Sequence, residues 1–390
     1  MKKWIGLLLV MILLGTAIPL VGCAEEEVEK EAYKVGAVFA VSGFNAPLGT
    51  PEKQTVEMMV EQINAKGGID GHPLEVIVYD TESDTTKCVT LVNSLIEQGV
   101  VAIIGPSSTG ESMALIDIVT GAETPLVSCA AGVTIVTPVE DREWVFKTPQ
   151  SDLLAVQELF KYIEEVEGFT KIAIITDTGG FGKGGKAILE AQAADYGLTI
   201  VANEDFDTTQ QDMTAELTNI KNSTAEAIVC WGTNPGPALV AQARVALNMT
   251  IPLFQSHGIA NMKFIELGGS AVNGVIFPAG KLLIADQLPN SDPQKDVLEE
   301  YKADFEAKYG AGTANTFGGH AYDALSLVVM ALDKVGADRA KVRDYIETVT
   351  DWPGTGGVFN MSAQDHNGLT AGCFVMIEII NGEWTWIEGD

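Results

Sequence analysis

Positive charge is scarce in this chain. Lys and Arg total 24 against 53 Asp and Glu, for a formal charge of −29. Phosphate recognition needs clustered Lys and Arg, so no nucleic-acid partner is expected. An acidic surface serves solubility and says nothing direct about a small ligand. Histidine is sparse too. His72, His257, His320 and His366 are scattered, with no H-E-x-x-H spacing. The five cysteines contain no C-x-x-C, which argues against a zinc site. No G-x-S-x-G elbow is present. Asp365-His366 lies in a Gly- and Asn-rich turn and reads as structural. Without a recognisable nucleophile, metal set or acid–base pair, the chain is not expected to be an enzyme or to hold a metal or cofactor.

Long apolar runs are absent, with one exception. Lys2 and Lys3 precede an apolar run over 4–21, which ends Leu20-Val21-Gly22-Cys23. A charged start, an apolar middle and a small residue before the end predict a secretory signal over 1–22. The last four residues look like a lipobox, which implies that Cys23 is lipidated and begins the mature chain. An uncleaved anchor helix is the alternative, and the run is marginal for a core ~30 Å thick. Residues 23–32 are rich in Glu and predict a solvated, lipidated tether. The expected location is therefore extracytoplasmic, at a membrane. Cys88, Cys129, Cys230 and Cys373 remain, and Cys129, Cys230 and Cys373 sit in apolar runs where a free thiol packs as a small hydrophobe. Whether any pair forms a disulfide is left open by the spacing.

The rest of the 390 residues is too long for one average domain. Strand-like runs at 33–40, 73–79, 100–104 and 125–128 alternate with helical segments at 51–64, 85–97 and 111–121. The series restarts with helices at 153–166, 184–196, 213–222 and 237–247 between strands at 171–176, 199–206, 225–231 and 252–254. Alternation predicts right-handed βαβ units and parallel sheets, each strand covered on both faces. Helical segments at 292–309, 317–335 and 339–349 follow, then strands at 373–380 and 384–387. The expected fold is α/β, with two similar three-layer lobes hinged by crossovers. One lobe comprises 33–149 and 280–356, the other 150–279 and 357–390.

Ligands collect beyond the carboxyl ends of strands in such sheets. The turns there are rich in Gly, Ser and Thr: 41–45, 105–111, 129–132, 177–182, 232–235 and 255–258. Small residues admit a ligand to the backbone, and hydroxyls supply hydrogen bonds. Ser108 and Glu111 have capping-box spacing, so a helix N-terminus there favours an anion such as a carboxylate. Gly180 to Lys186 has the core of a phosphate loop, but Ala187 lacks the magnesium-binding hydroxyl. Nucleotide binding is disfavoured.

The stretch Ile63-Asn64-Ala65-Lys66-Gly67-Gly68-Ile69-Asp70-Gly71 resembles the branched-chain amino-acid type of ABC-transporter substrate-binding proteins. So do 101–106, Ser42-Gly43 and Pro125-Leu126-Val127-Ser128, and the similarity runs from about Tyr33 to the C-terminus. The resemblance implies the type I periplasmic-binding fold, a flytrap that closes on a solute and hands it to a membrane permease. A monomer is expected. Amidase regulators and receptor ectodomains share the fold, so fold alone leaves function open. Carried over position by position, the ligand carboxylate falls to Thr109 and to the turn at Ala130 and Gly132. Leu48, Phe181, Thr233 and Phe317 fall on aromatic lining positions, and Ser42 sits in the first turn. His257 replaces the acid that pairs with the ligand ammonium, and Gly132 lacks the hydroxyl usual in the family. A buried ammonium without a partner costs several kcal/mol. The expected ligand is thus a small aromatic or aliphatic carboxylate without an α-amino group; the alternatives are branched-chain or other amino-acid binding for import, with another acid doing the pairing, and a solute sensor. The run 143–150 also resembles a subgroup that includes binders of aromatic acids.

Overall fold

The computed structural model describes residues 30–387. The expected signal at 1–22, the expected lipidation site Cys23 and most of the expected tether lie outside the described residues.

Two α/β lobes are built in turn. The first contains β1 (Tyr33–Phe39), α1 (Ala46–Ala65), β2 (Leu74–Asp80), α2 (Thr85–Glu97), β3 (Ile103–Ile104), α3 (Thr109–Gly121), β4 (Leu126–Ser128) and β5 (Val145–Lys147). Its sheet has the order β2-β1-β3-β4-β5, and its strand pairs are parallel. The second contains α4 (Asp152–Tyr162), β6 (Lys171–Asp177), α5 (Gly180–Gln192), β7 (Thr199–Phe206), α6 (Thr214–Lys221), β8 (Ala227–Trp231), α7 (Gly236–Ala246), β9 (Leu253–Gln255), α8 (Met262–Gly268) and β10 (Ile276–Gly280). The chain then returns to the first lobe with α9 (Lys295–Tyr309), α10 (Thr316–Val335) and α11 (Arg339–Ile346), and a ribbon of β11 (Trp352–Pro353) and β12 (Val358–Phe359). It ends in the second sheet with β13 (Phe374–Ile380) and β14 (Glu383–Trp386).

That second sheet is mixed, with the order β14-β13-β10-β9-β8-β6-β7. β13 runs antiparallel to β10, and β14 antiparallel to β13. A tight hairpin turns β13 back into β14. Asn381 and Gly382 both take positive φ, 54° and 81°, as a two-residue hairpin loop demands. Residues 358–368, placed in the second lobe by sequence, pack on the first. His366 O accepts from Lys147 N at 3.1 Å, and Met361 N donates to Val349 O at 2.8 Å.

Each sheet is a central layer. Val35, Ala37 and Phe39 face α1 and α10 through Val56, Ala324 and Val328, while Val38 and Ile103 face α2 and α3 through Val92, Leu95 and Leu115. In the second lobe Ile172 and Ile174 pack against α4 and α5, and Ala173 and Ile175 against α6 and α7. Strands covered on both faces explain the unbroken apolar runs. Several helix starts are capped by side chains: Asp84 accepts from Thr86 N and Lys87 N, and Asn315 from Phe317 N and Gly318 N. All four cysteines among the described residues are buried and free.

Candidate ligand-binding site

A cavity of about 350 Å³ lies between the lobes. Its walls are the turns beyond the carboxyl ends of the strands, as the topology requires. The first lobe contributes Asn45, Leu48, Ser107 to Gly110, and Cys129 to Ala131, with Phe317 and His320 from α10. The second contributes Asp177 to Phe181, Asp207, Thr233 and His257.

The lobes touch across this cavity. Thr233 Oγ1 lies 3.5 Å from Asn45 Oδ1, and Asn261 Nδ2 donates to Pro47 O at 2.8 Å. The latter bond has a local origin. Pro51 lies inside α1 and has no N–H, so the carbonyl four residues earlier, that of Pro47, is released to accept from the other lobe. The N-termini of α3 and α5 also abut. A Cβ built at Gly180 would sit 2.7 Å from Gly110 N.

The α3 terminus is arranged for an anion. Ser108 Oγ accepts from Glu111 N at 3.3 Å, one of the two bonds of the capping box expected from sequence, and donates to Glu111 Oε2 at 2.6 Å in place of the backbone bond. Ser107 Oγ accepts from Ala40 N at 3.0 Å and donates to Glu52. Burial pushes the carboxyls of Glu52 and Glu111 above their ordinary range. The acids behind the terminus are therefore biased toward neutrality and oppose an incoming anion less than ionised ones would. Thr109 Oγ1 accepts from Gly132 N at 3.3 Å, which leaves its O–H free to donate.

Leu48, Thr109, Ala130, Phe181, Thr233, His257 and Phe317 all line the cavity. Two other predicted residues do not. Ser42 Oγ donates to Asp80 Oδ2 at 2.7 Å and serves the first turn instead. Gly132 sits behind Thr109, where a Cβ would come within 2.5 Å of Thr109 Cγ2. Its glycine is explained by that approach rather than by ligand contact.

His257 is walled by Phe181, Trp231 and Phe374, with ring centroids 5.3, 5.9 and 5.4 Å away. Burial, with Lys147 behind it, pushes its pKa down to about 3, so the ring is neutral at physiological pH. His320 and Asp177 were not singled out by sequence. His320 is likewise pushed down to about 3 by burial. Asp177 ends β6, accepts from Gly179 N at 2.8 Å and Thr233 N at 3.2 Å, and is pushed up to about 6 by burial. Among the described residues, no group of three or more His, Cys, Asp or Glu is placed to hold a metal ion.

Buried ionisable groups set a pH dependence. Glu52, Glu111, Asp152, Asp177 and Asp323 are all raised by burial, Asp323 to about 7. Folding holds their protons, so their contribution is full at acid pH and is lost as pH rises through the raised values. His257 and His320 act oppositely below about pH 6.5, where the unfolded rings take protons that the folded ones refuse. With both rings removed (His257→Leu together with His320→Leu), the raised acids set the slope, opposed near the upper end by Lys147, which burial lowers to about 7. The melting temperature of that unliganded variant is expected to be higher at pH 5 than at pH 7. Scanning calorimetry across that interval checks it, and a flat or rising profile would contradict it.

Two α/β lobes closing on a polar-rimmed, apolar-walled cavity define a solute-binding protein of the flytrap class. Residues 32–383 match the periplasmic binding protein family, and the chain belongs to it. The leucine-, isoleucine-, valine-, threonine- and alanine-binding protein of Pseudomonas aeruginosa is 22% identical over 346 residues, covering 88% of this chain and 90% of that protein. The Leu/Ile/Val-binding protein of Escherichia coli K12 is 24% identical over 274 residues, 70% of this chain and 74% of that protein. An extracellular ligand-binding receptor from Rhodopseudomonas palustris HaA2 superposes with a TM-score of 0.85 at 29% identity, covering 91% of this chain and 99% of that one. A Streptococcus pneumoniae branched-chain amino-acid transporter substrate-binding protein in complex with isoleucine gives 0.80 at 24%, over 91% and 99% of the two chains, and shows the shared fold.

Proposed function

We propose that this protein is the extracytoplasmic binding component of an ABC importer, tethered through lipidated Cys23, and that it captures a small carboxylate lacking an α-ammonium. The observation that carries the ligand class is the pairing of an α3 N-terminus bearing the free Thr109 hydroxyl with a neutral His257 in the opposite wall. Such a site offers a carboxylate donors and a helix dipole. At position 257 it offers no negative charge for an ammonium. Leu48, Phe181 and Phe317 supply an apolar surround for an aromatic or aliphatic body.

Amino-acid binding is the second reading, and Asp177 favours it. Asp177 is an acid in the cavity wall, although both its oxygens already accept from backbone N–H groups. Several relatives bear names that specify branched-chain amino acids. Calorimetric titration with leucine and with 4-methylpentanoate, its deaminated counterpart, separates the two. Tight leucine binding without response to the deaminated acid would overturn the carboxylate reading.

Thr109→Ala is expected to weaken the bound carboxylate by about 1–3 kcal/mol, the range for a hydrogen bond to a charged group. Unchanged affinity in calorimetry would place the carboxylate elsewhere. Cys23→Ala is expected to abolish lipid labelling and release the protein from the membrane fraction. Retention of both properties would overturn the tether.

A further inference from the structure

We infer that His257 and His320 together receive a second polar group of the ligand, one that is uncharged and both donates and accepts hydrogen bonds, such as a hydroxyl or a primary amide. This deepens the carboxylate reading and rests on it. The two rings line the same cavity, one from each lobe. Neither nitrogen of either ring has a hydrogen-bond partner among the described residues. The contrast with the other two histidines is sharp. His72 Nδ1 meets Glu31 O at 2.8 Å; His366 Nδ1 meets Val145 O at 2.9 Å and its Nε2 meets Glu347 Oε1 at 3.2 Å. Unpartnered buried polar atoms are uncommon in native proteins and call for a partner that arrives with ligand or solvent.

Chemistry narrows what that partner is. Both rings are neutral, so each offers one N–H donor and one bare nitrogen acceptor. A second carboxylate would satisfy the donors and leave both acceptors unpaired. An ammonium would do the reverse. A hydroxyl or primary amide answers both. The rings are also held in place: three aromatic rings surround His257, and Phe317 packs edge-on to His320 at 5.9 Å and 87°. A polar pair fixed in an apolar wall discriminates strongly against ligands that lack the matching group.

The test is titration calorimetry at neutral pH with matched acids: hexanoate against 6-hydroxyhexanoate, and 3-phenylpropanoate against 3-(4-hydroxyphenyl)propanoate. The hydroxylated member of at least one pair is expected to bind at least roughly tenfold tighter, with the advantage lost in His320→Leu and in His257→Leu. Methyl esters of the same compounds keep the two readings apart. Esters that bind as well as acids overturn the carboxylate site while leaving the hydroxyl preference standing. Acids that bind equally with and without the hydroxyl overturn the histidine site alone, with solvent as the partner of the rings. The unliganded variants supply an independent readout. Removing unpartnered nitrogens is expected to leave the melting temperature unchanged or raised. A marked fall in both variants would make the rings packing elements and overturn the inference.

Discussion

Gly180→Val is expected to reduce affinity for any cleft ligand by roughly 100-fold or more, close to 3 kcal/mol, while leaving the unliganded melting temperature unchanged. A Cβ at Gly180 would meet Gly110 N at 2.7 Å and Gly110 Cα at 2.9 Å, and both are backbone atoms of the opposite lobe. Backbone in the first turn of a helix cannot give way as a side-chain tip can. Within its own lobe the substitution is tolerated, because Gly180 opens α5 without a positive φ. The collision therefore exists in the closed arrangement and vanishes on opening. A ligand shifts such an equilibrium by its differential affinity for the closed state, and the clash subtracts directly from that difference. Gly110→Ala is the control. Its Cβ would stand 4.0 Å from Gly180 N, an ordinary contact, and a small effect is expected. Calorimetry and thermal melting of both variants decide the matter. If Gly180→Val binds as tightly as the parent, the ligand is held without closure.

Much of the fold was legible because its strands are buried on both faces. Runs such as Val101-Ala102-Ile103-Ile104 and Ile172-Ala173-Ile174-Ile175 admit little else once helical periods flank them. The losses have physical causes. β5 is three residues long and ends in Lys147, a fully buried lysine whose Nζ donates to Pro149 O at 2.7 Å, and no pattern of apolar residues announces it. β10 contains Pro278, which argues against a strand by its missing donor. α1 begins five residues before the expected Pro51, because a proline inside a helix is read as a start.

The site was legible where it follows strands and hidden where it does not. Five of the six glycine- and hydroxyl-rich turns hold Thr109, Ala130, Phe181, Thr233 and His257, which the family resemblance singled out and which share one cavity. His320 was missed because α10 is distant in sequence from every such turn, although its spacing of three from Phe317 puts both on one helix face. Ser42 shows the converse error. A hydroxyl in the right kind of turn was satisfied locally, by Asp80.

Asp323→Ala is expected to cost about 3–4 kcal/mol of stability, since two backbone N–H groups and a hydroxyl lose a shared acceptor. Asp323 sits on α10, fully buried, and accepts from Thr355 N and Gly356 N at 2.7 Å each and from Thr355 Oγ1 at 3.0 Å. The residues it holds form the loop of the β11–β12 ribbon, and two passages between the lobes are tied to it. Gln150 Nε2, from the first crossover, donates to Gly356 O at 2.8 Å. Gln294 Nε2, from the second, donates to Gly354 O at 2.9 Å and lies 3.2 Å from Thr355 O. One carboxyl thus fixes the loop to which both of these crossovers are tied, and its loss loosens the anchorage of both. Thr355→Ala removes the hydroxyl alone and is expected to cost about 1 kcal/mol, the usual worth of a single hydrogen bond. Denaturant unfolding of the two variants beside the parent measures both. Equal losses would show that the backbone donors find other acceptors, and that the loop is held by packing rather than by Asp323.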